Sequence, residues 1–220
     1  MRVRSILTGV TRAAGQWCLR DARCLREDEV RRLLAAARRH SQKAHVLLSL
    51  CYNGAFRACE VTHLRVKDFD FSANKVSIVP AKKARRSGAG LPPAVDYPLA
   101  ENAMALASKW IILNELGPQD WMFSGQVIRC KVVKYECSLG HMSTREAQRI
   151  FSEVASRVGL KLQRRGIHSL KHARLTEIAY KTRDPWFVKQ AGRHESIAMS
   201  DAYVAVLDLT ERIRKIGGIV

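Results

Sequence analysis

The chain is short of acidic residues: 20 Asp and Glu stand against 38 Lys and Arg. It also has no apolar run near the roughly 18 residues that a membrane span requires. The N-terminal stretch MRVRSILTGVTRAAGQW is basic, but its apolar pieces are too short and interrupted for a signal peptide. Six cysteines are present (Cys18, Cys24, Cys51, Cys59, Cys130 and Cys137), yet no two are spaced C-x2-C, which excludes the common zinc ribbons and fingers. Cys130, Cys137 and His141 lie close together without a recognised ligand spacing, so reduced thiols are expected and no metal or other cofactor. Internal repeats and low-complexity tracts are absent, which excludes solenoids and disordered polymers. A soluble cytoplasmic protein is the expectation.

What is there begins with charge. A formal net charge of +18 attracts polyanions at long range and favours nucleic acid through counterion release. A membrane-surface reading would need a strongly amphipathic basic helix with exposed aromatics, and the sequence offers none. An RNA-binding module of the RRM kind would need an aromatic-studded strand, which is also missing. Nucleic acid is the expected partner.

The apolar fraction of 47% over 220 residues is enough for a substantial core. From Arg26 the chain reads as helix, with Val30, Leu33, Leu34 and Ala37 at i, i+3, i+4 and i+7. A second helix is predicted over Gln42 to Tyr52 and a third from about Arg57 through Leu64. The period then changes. VKDFDF, KVSIVP and VDYPL read as strands, the last two joined by AKKARRSGAGLPPA, a basic hairpin loop. Helices resume over Ala100–Leu116 and again from Ser143, a predicted N-cap with Glu146 at the capping-box position. The stripe of that helix is Ala147, Ile150, Phe151, Val154, Ala155 and Val158, and Gly159 closes it. Two or three further helices fill Leu170 to Val206. The expected fold is mainly α with one small antiparallel β-sheet, an α+β architecture.

Four places bring chemically apt polar groups to element ends. Arg57 stands where the loop containing Gly54 passes into a helix, three residues before Glu60. Lys82 and Lys83 follow the strand VSIVPA. His168 and Lys171 are one helical turn apart and point the same way. His194 precedes Tyr203 by nine positions in GRHESIAMSDAY. Taken singly, each is explained by a local ion pair, a solvated lysine, a cap or core packing. Their order as a set is more specific.

That order resembles the tyrosine recombinase (phage integrase) family. YNGAFRACEVTHLRVKDFDF is similar to the segment around the family's first arginine, VSIVPAK to the strand ending in its lysine, IHSLKHARLTEIA to its H-x-L-R-H box, and AGRHESIAMSDAY to its L-G-H…Y box. CLREDEVRRLL resembles the opening of its catalytic domain. The resemblance implies a catalytic domain over residues 25–206, preceded by a basic segment or linker (1–24) and followed by a tail (207–220) that packs on a neighbouring subunit. It implies a DNA recombinase that forms a 3′-phosphotyrosine without metal, working as a homo-tetramer on paired sites in the nucleoid. Tyr203 would be the nucleophile, Arg57 the phosphate clamp, Lys82 the general acid with Lys83 as fallback, and His168 and His194 hydrogen-bond and proton-transfer groups. Glu60 would orient Arg57. Lys82, Lys83, Arg85, Arg86 and Arg193 would contact DNA.

One position departs from the family pattern. Lys171 stands where the second arginine is expected, and an ammonium cannot reproduce a guanidinium's bidentate grip. Arg174 and Arg193 are the candidates to compensate. A working variant is the favoured expectation. A DNA-binding protein without turnover and a type IB topoisomerase-like enzyme are the alternatives.

Overall fold

A computed structural model describes residues 24–79, 93–125, 127–129, 136–138, 140–160 and 166–204. The basic hairpin loop with Lys82, Lys83, Arg85 and Arg86 lies outside the described residues, as do the N-terminal segment through residue 23 and the tail from residue 205.

Helix α1 (Glu27–His40) carries Glu27, Asp28 and Glu29 in its first turn and Arg38, Arg39 and His40 in its last, which complements the helix dipole at both ends. Its buried stripe is Val30, Leu33, Ala36 and Ala37. Ser41 caps α2 (Gln42–Asn53) by accepting from the Ala44 N–H at 3.1 Å. Helix α2 buries Val46, Leu47, Leu48 and Leu50 and is the central element, packed by α1 and by four helices that follow it in the chain. The short α3 (Ala58–Thr62) comes next, then β1 (Phe69–Asp70), β2 (Lys75–Ile78) and β3 (Val95–Pro98). These form an antiparallel sheet in that order, with Val76 opposite both Phe69 and Tyr97.

Helix α4 (Glu101–Leu113) is followed by a second, two-stranded sheet, β4 (Val127–Arg129) with β5 (Glu136–Ser138). The sequence reading missed it, because these strands are three residues long and carry no alternating pattern of useful length. Helix α5 (Thr144–Arg157) starts as expected: Ser143 Oγ accepts from the Glu146 N–H at 3.1 Å. Gly159 follows it in the left-handed region at φ 65°. Helices α6 (His168–Thr182) and α7 (Pro185–Gly192) come next, with Asp184 capping α7 ahead of Pro185 at its first turn. A final helical segment, α8, is described over residues 198–204.

The mainly helical fold with its three-stranded antiparallel sheet is the one expected. Most apolar side chains join one core, and a smaller cluster of Ala55, Leu175, Ala179, Val188, Ala191 and Val204 lies between α6, α7 and α8. Tyr203 packs on that smaller cluster, which fixes where its hydroxyl points. Among the described residues no helix is long and apolar enough to cross a membrane.

Candidate active site

The site is built on a buried carboxylate. Glu60, on α3, has a fully buried side chain that receives two guanidinium groups: Arg57 Nη1 donates to Oε1 at 2.6 Å and Arg193 Nη2 to Oε2 at 3.0 Å. The backbone N–H of Arg57 also donates to Oε2 at 2.8 Å, so Glu60 closes the first turn of its own helix. Burial alone would raise the Glu60 pKa. The charges of Arg193 and Lys171, with the Arg57 N–H and guanidinium, outweigh it and hold the carboxyl below its usual value.

Lys171 enters the same cluster from α6. Its ammonium is buried and donates to the carbonyls of Ala55 at 2.8 Å and Gly192 at 2.7 Å. Ala55, in the left-handed region at φ 46°, belongs to the loop that delivers Arg57, and Gly192 ends the helix that delivers His194. One cation therefore ties together the two segments that carry the first arginine and the second histidine.

Above this cationic floor runs a row of rings. The His168 and His172 rings meet edge to face at 4.8 Å, one turn apart on α6. His172 Nδ1 lies 2.7 Å from the Tyr203 hydroxyl. The His194 ring also lies nearly parallel to the Tyr203 phenol, with centroids 6.1 Å apart. His194 is itself fixed by a 2.9 Å hydrogen bond between Nδ1 and Ser200 Oγ. The outer edge of His168 reaches solvent, but desolvation of the rest of the ring, then the neighbouring His172, Lys171 and Arg57, push its pKa down to about 4. It is a neutral imidazole at neutral pH.

The structure thus brings Arg57, Glu60, His168, Lys171, His194 and Tyr203 together. Arg193, expected to contact DNA, is part of the buried cluster. Its side chain is turned inward, donating to the carbonyls of Gly54 at 3.1 Å and Ala55 at 2.6 Å as well as to Glu60. Its guanidinium also lies over the Phe56 and Tyr97 rings, 5.2 and 4.8 Å from their centroids. The cause is local: Arg193 adopts φ 53°, which swings its side chain toward the buried carboxylate. Arg174 also keeps to its own surroundings, paired with Glu177 and 5.7 Å from the Tyr52 ring centroid. His172 is the member that the sequence reading missed. Its signal was present, since it follows Lys171 directly, but its partner is 31 residues away.

The model for the phage integrase family matches residues 23–209. The chain belongs to that family. Among solved structures, XerA recombinase is similar, at 18% identity and a TM-score of 0.66, over 87% of this chain and 64% of that one. XerH site-specific recombinase bound to palindromic difH substrate, in a post-cleavage complex, gives 20% identity and a TM-score of 0.65, over 90% of this chain and 53% of that one. The Tn1549 transposon integrase in complex with circular intermediate DNA gives 16% identity and a TM-score of 0.62, over 84% and 64%. These likenesses establish the phage integrase fold, and this chain spans roughly half to two thirds of those proteins' length. No curated protein matches the sequence. Within the phage integrase frame, the departure at Lys171 has a structural reading: its ammonium faces backbone carbonyls in the interior.

Proposed function

We propose that this chain is a site-specific DNA recombinase, cutting and rejoining double-stranded DNA through a phosphotyrosine at Tyr203, with residues 25–206 as the catalytic domain. The observation that carries the reading is the contact of the Tyr203 hydroxyl with His172 Nδ1 and of its ring with His194, whose segment Lys171 ties to the loop that presents Arg57. In the reaction, Tyr203 Oη bonds to the scissile phosphorus as the bond from phosphorus to the 5′ oxygen breaks. Arg57 supplies a planar pair of donors to the non-bridging oxygens. His168, neutral until acid pH, and His194 complete the hydrogen bonds around the five-coordinate phosphorus. The leaving 5′ oxygen takes its proton from Lys82, or from Lys83, with Arg85 and Arg86 of the same loop holding the DNA backbone. No step in this chemistry calls for a metal. Relatives caught on DNA, such as XerH on its difH substrate, support a DNA substrate. Assembly as a homo-tetramer on paired sites, on nucleoid DNA in the cytoplasm and with the C-terminal tail seated on a neighbouring subunit, completes the proposal.

One observation favours a second reading, a DNA-binding protein without turnover. Lys171, at the second-arginine position, spends two N–H groups on interior carbonyls. Covalent trapping separates the two. The protein is expressed in cells with its native flanking DNA, denatured without proteolysis, and the attached DNA is sequenced beside a Tyr203→Phe control. DNA linked at discrete sites in the wild type and absent from the control supports the recombinase. Binding by both proteins with no attachment in either supports the second reading.

A further inference from the structure

We propose that His172 is a catalytic residue: its Nδ1 accepts the proton of the Tyr203 hydroxyl as the phenol attacks phosphorus. The inference rests on the phosphotyrosine reading above and names a group that the family pattern of Arg57, Lys82, His168, Lys171, His194 and Tyr203 leaves without a role.

The geometry carries it. The 2.7 Å separation of His172 Nδ1 and Tyr203 Oη lies within the about 2.6–3.2 Å required of a general base. The other two imidazoles have contacts of their own. His194 Nδ1 is hydrogen-bonded to Ser200 and its ring runs alongside the phenol. His168 presents its ring to His172 at 89°, edge to face, and so braces it. His172 is also held from below, because the next residue back, Lys171, is anchored to the carbonyls of Ala55 and Gly192. A free phenol ionises near pH 10, so at neutral pH a phosphoryl acceptor of this kind needs a base in contact with it.

The step balances. The O–H bond of Tyr203 breaks, its proton moves to Nδ1, and His172 becomes an imidazolium. The Oη–P bond forms, and the 5′ oxygen leaves with a proton from the acid on the opposite side. On rejoining, the 5′ hydroxyl attacks as its O–H bond breaks and its proton returns to the acid on the opposite side, and Tyr203 departs with the proton that His172 kept. His172 is faced by His168 on α6 and Tyr203 on α8, and Lys171 precedes it in the chain.

Two measurements test this. The first is nitrogen NMR of the histidine side chains in the wild-type protein without DNA. The expected result is the Nε2–H tautomer of His172, with an Nδ1 resonance that moves in Tyr203→Phe. A proton resident on Nδ1 would overturn the proposal, because that nitrogen would then donate. The second is single-turnover cleavage of the duplex recovered by trapping. His172→Gln, checked for folding by thermal unfolding, is expected to cleave about 10²-fold slower or worse. Replacing the 5′ bridging oxygen by sulfur, which leaves without a proton, should not restore that rate. An unimpaired His172→Gln, or full rescue by sulfur, overturns the proposal while the phosphotyrosine reading stands. A wild-type protein that never cuts overturns both. If His172→Gln does not fold, the tautomer decides.

Discussion

The ammonium of Lys171 sits 2.8 Å from the carbonyl oxygen of Ala55, and Arg193 Nη2 reaches the same oxygen at 2.6 Å. Two cations from different segments thus hold one strained loop residue, and that loop presents Arg57. At the position where the family pattern has an arginine, the lysine acts as an internal strut.

This makes the obvious repair a poor one. Lys171→Arg restores the family residue but must fit a larger, planar head between two fixed carbonyls. A stability loss of about 1–3 kcal/mol is expected from overpacking, with no gain in cleavage. Lys171→Met should lose roughly 2–4 kcal/mol, since the Gly192 carbonyl forfeits its charged donor. Thermal unfolding of both variants, with trapping for the first, provides the check. A faster Lys171→Arg protein would show that the ammonium limits the reaction.

Glu60 neutralises a cluster of cations that includes Arg57, Arg193 and Lys171. Glu60→Gln leaves these charges buried without their counter-ion, and a loss of about 3–5 kcal/mol follows from the general cost of breaking a buried pair. Denaturant unfolding measures it. A change below about 1 kcal/mol would mean that water reaches the cluster easily.

Acid should weaken the fold through two groups acting in the same direction. The unfolded His168 imidazole takes up a proton near its ordinary value of 6.5, whereas the folded one resists until about 4. Stability attributable to this residue is therefore intact above pH 6.5 and falls as the pH drops toward 4. Glu60, with its folded pKa held down, adds a loss as the pH falls below the ordinary carboxylate value. His168→Asn should flatten the upper part of this dependence and leave the lower part. Unfolding free energies at a series of pH values decide it.

Gly192 has no room for a side chain. A Cβ there would stand 2.6–2.9 Å from the Nε2, Cε1 and Cδ2 atoms of the His194 ring. Gly192→Ala is expected to displace the imidazole from Ser200, cutting covalent trapping by at least about tenfold while DNA binding persists. Trapping and gel-shift affinity on the same preparation separate the two effects. Unchanged trapping would mean that the His194 position is not critical.

Much of this protein was legible in one dimension. Helix α5 followed from Ser143, Glu146 and an apolar stripe, and the sheet from short β-type runs, because caps and periodicity act over a few residues. Arg57 with Glu60, and His168 with Lys171, were readable as neighbours for the same reason. Tertiary structure decided what those residues touch. Lys171 meets carbonyls 116 and 21 residues away, Arg193 meets a carboxylate 133 residues away, and His172 meets Tyr203 across 31. Such partners leave no periodic trace. A buried charge takes whatever donors and acceptors the packed chain brings to it, and only the folded backbone determines which those are.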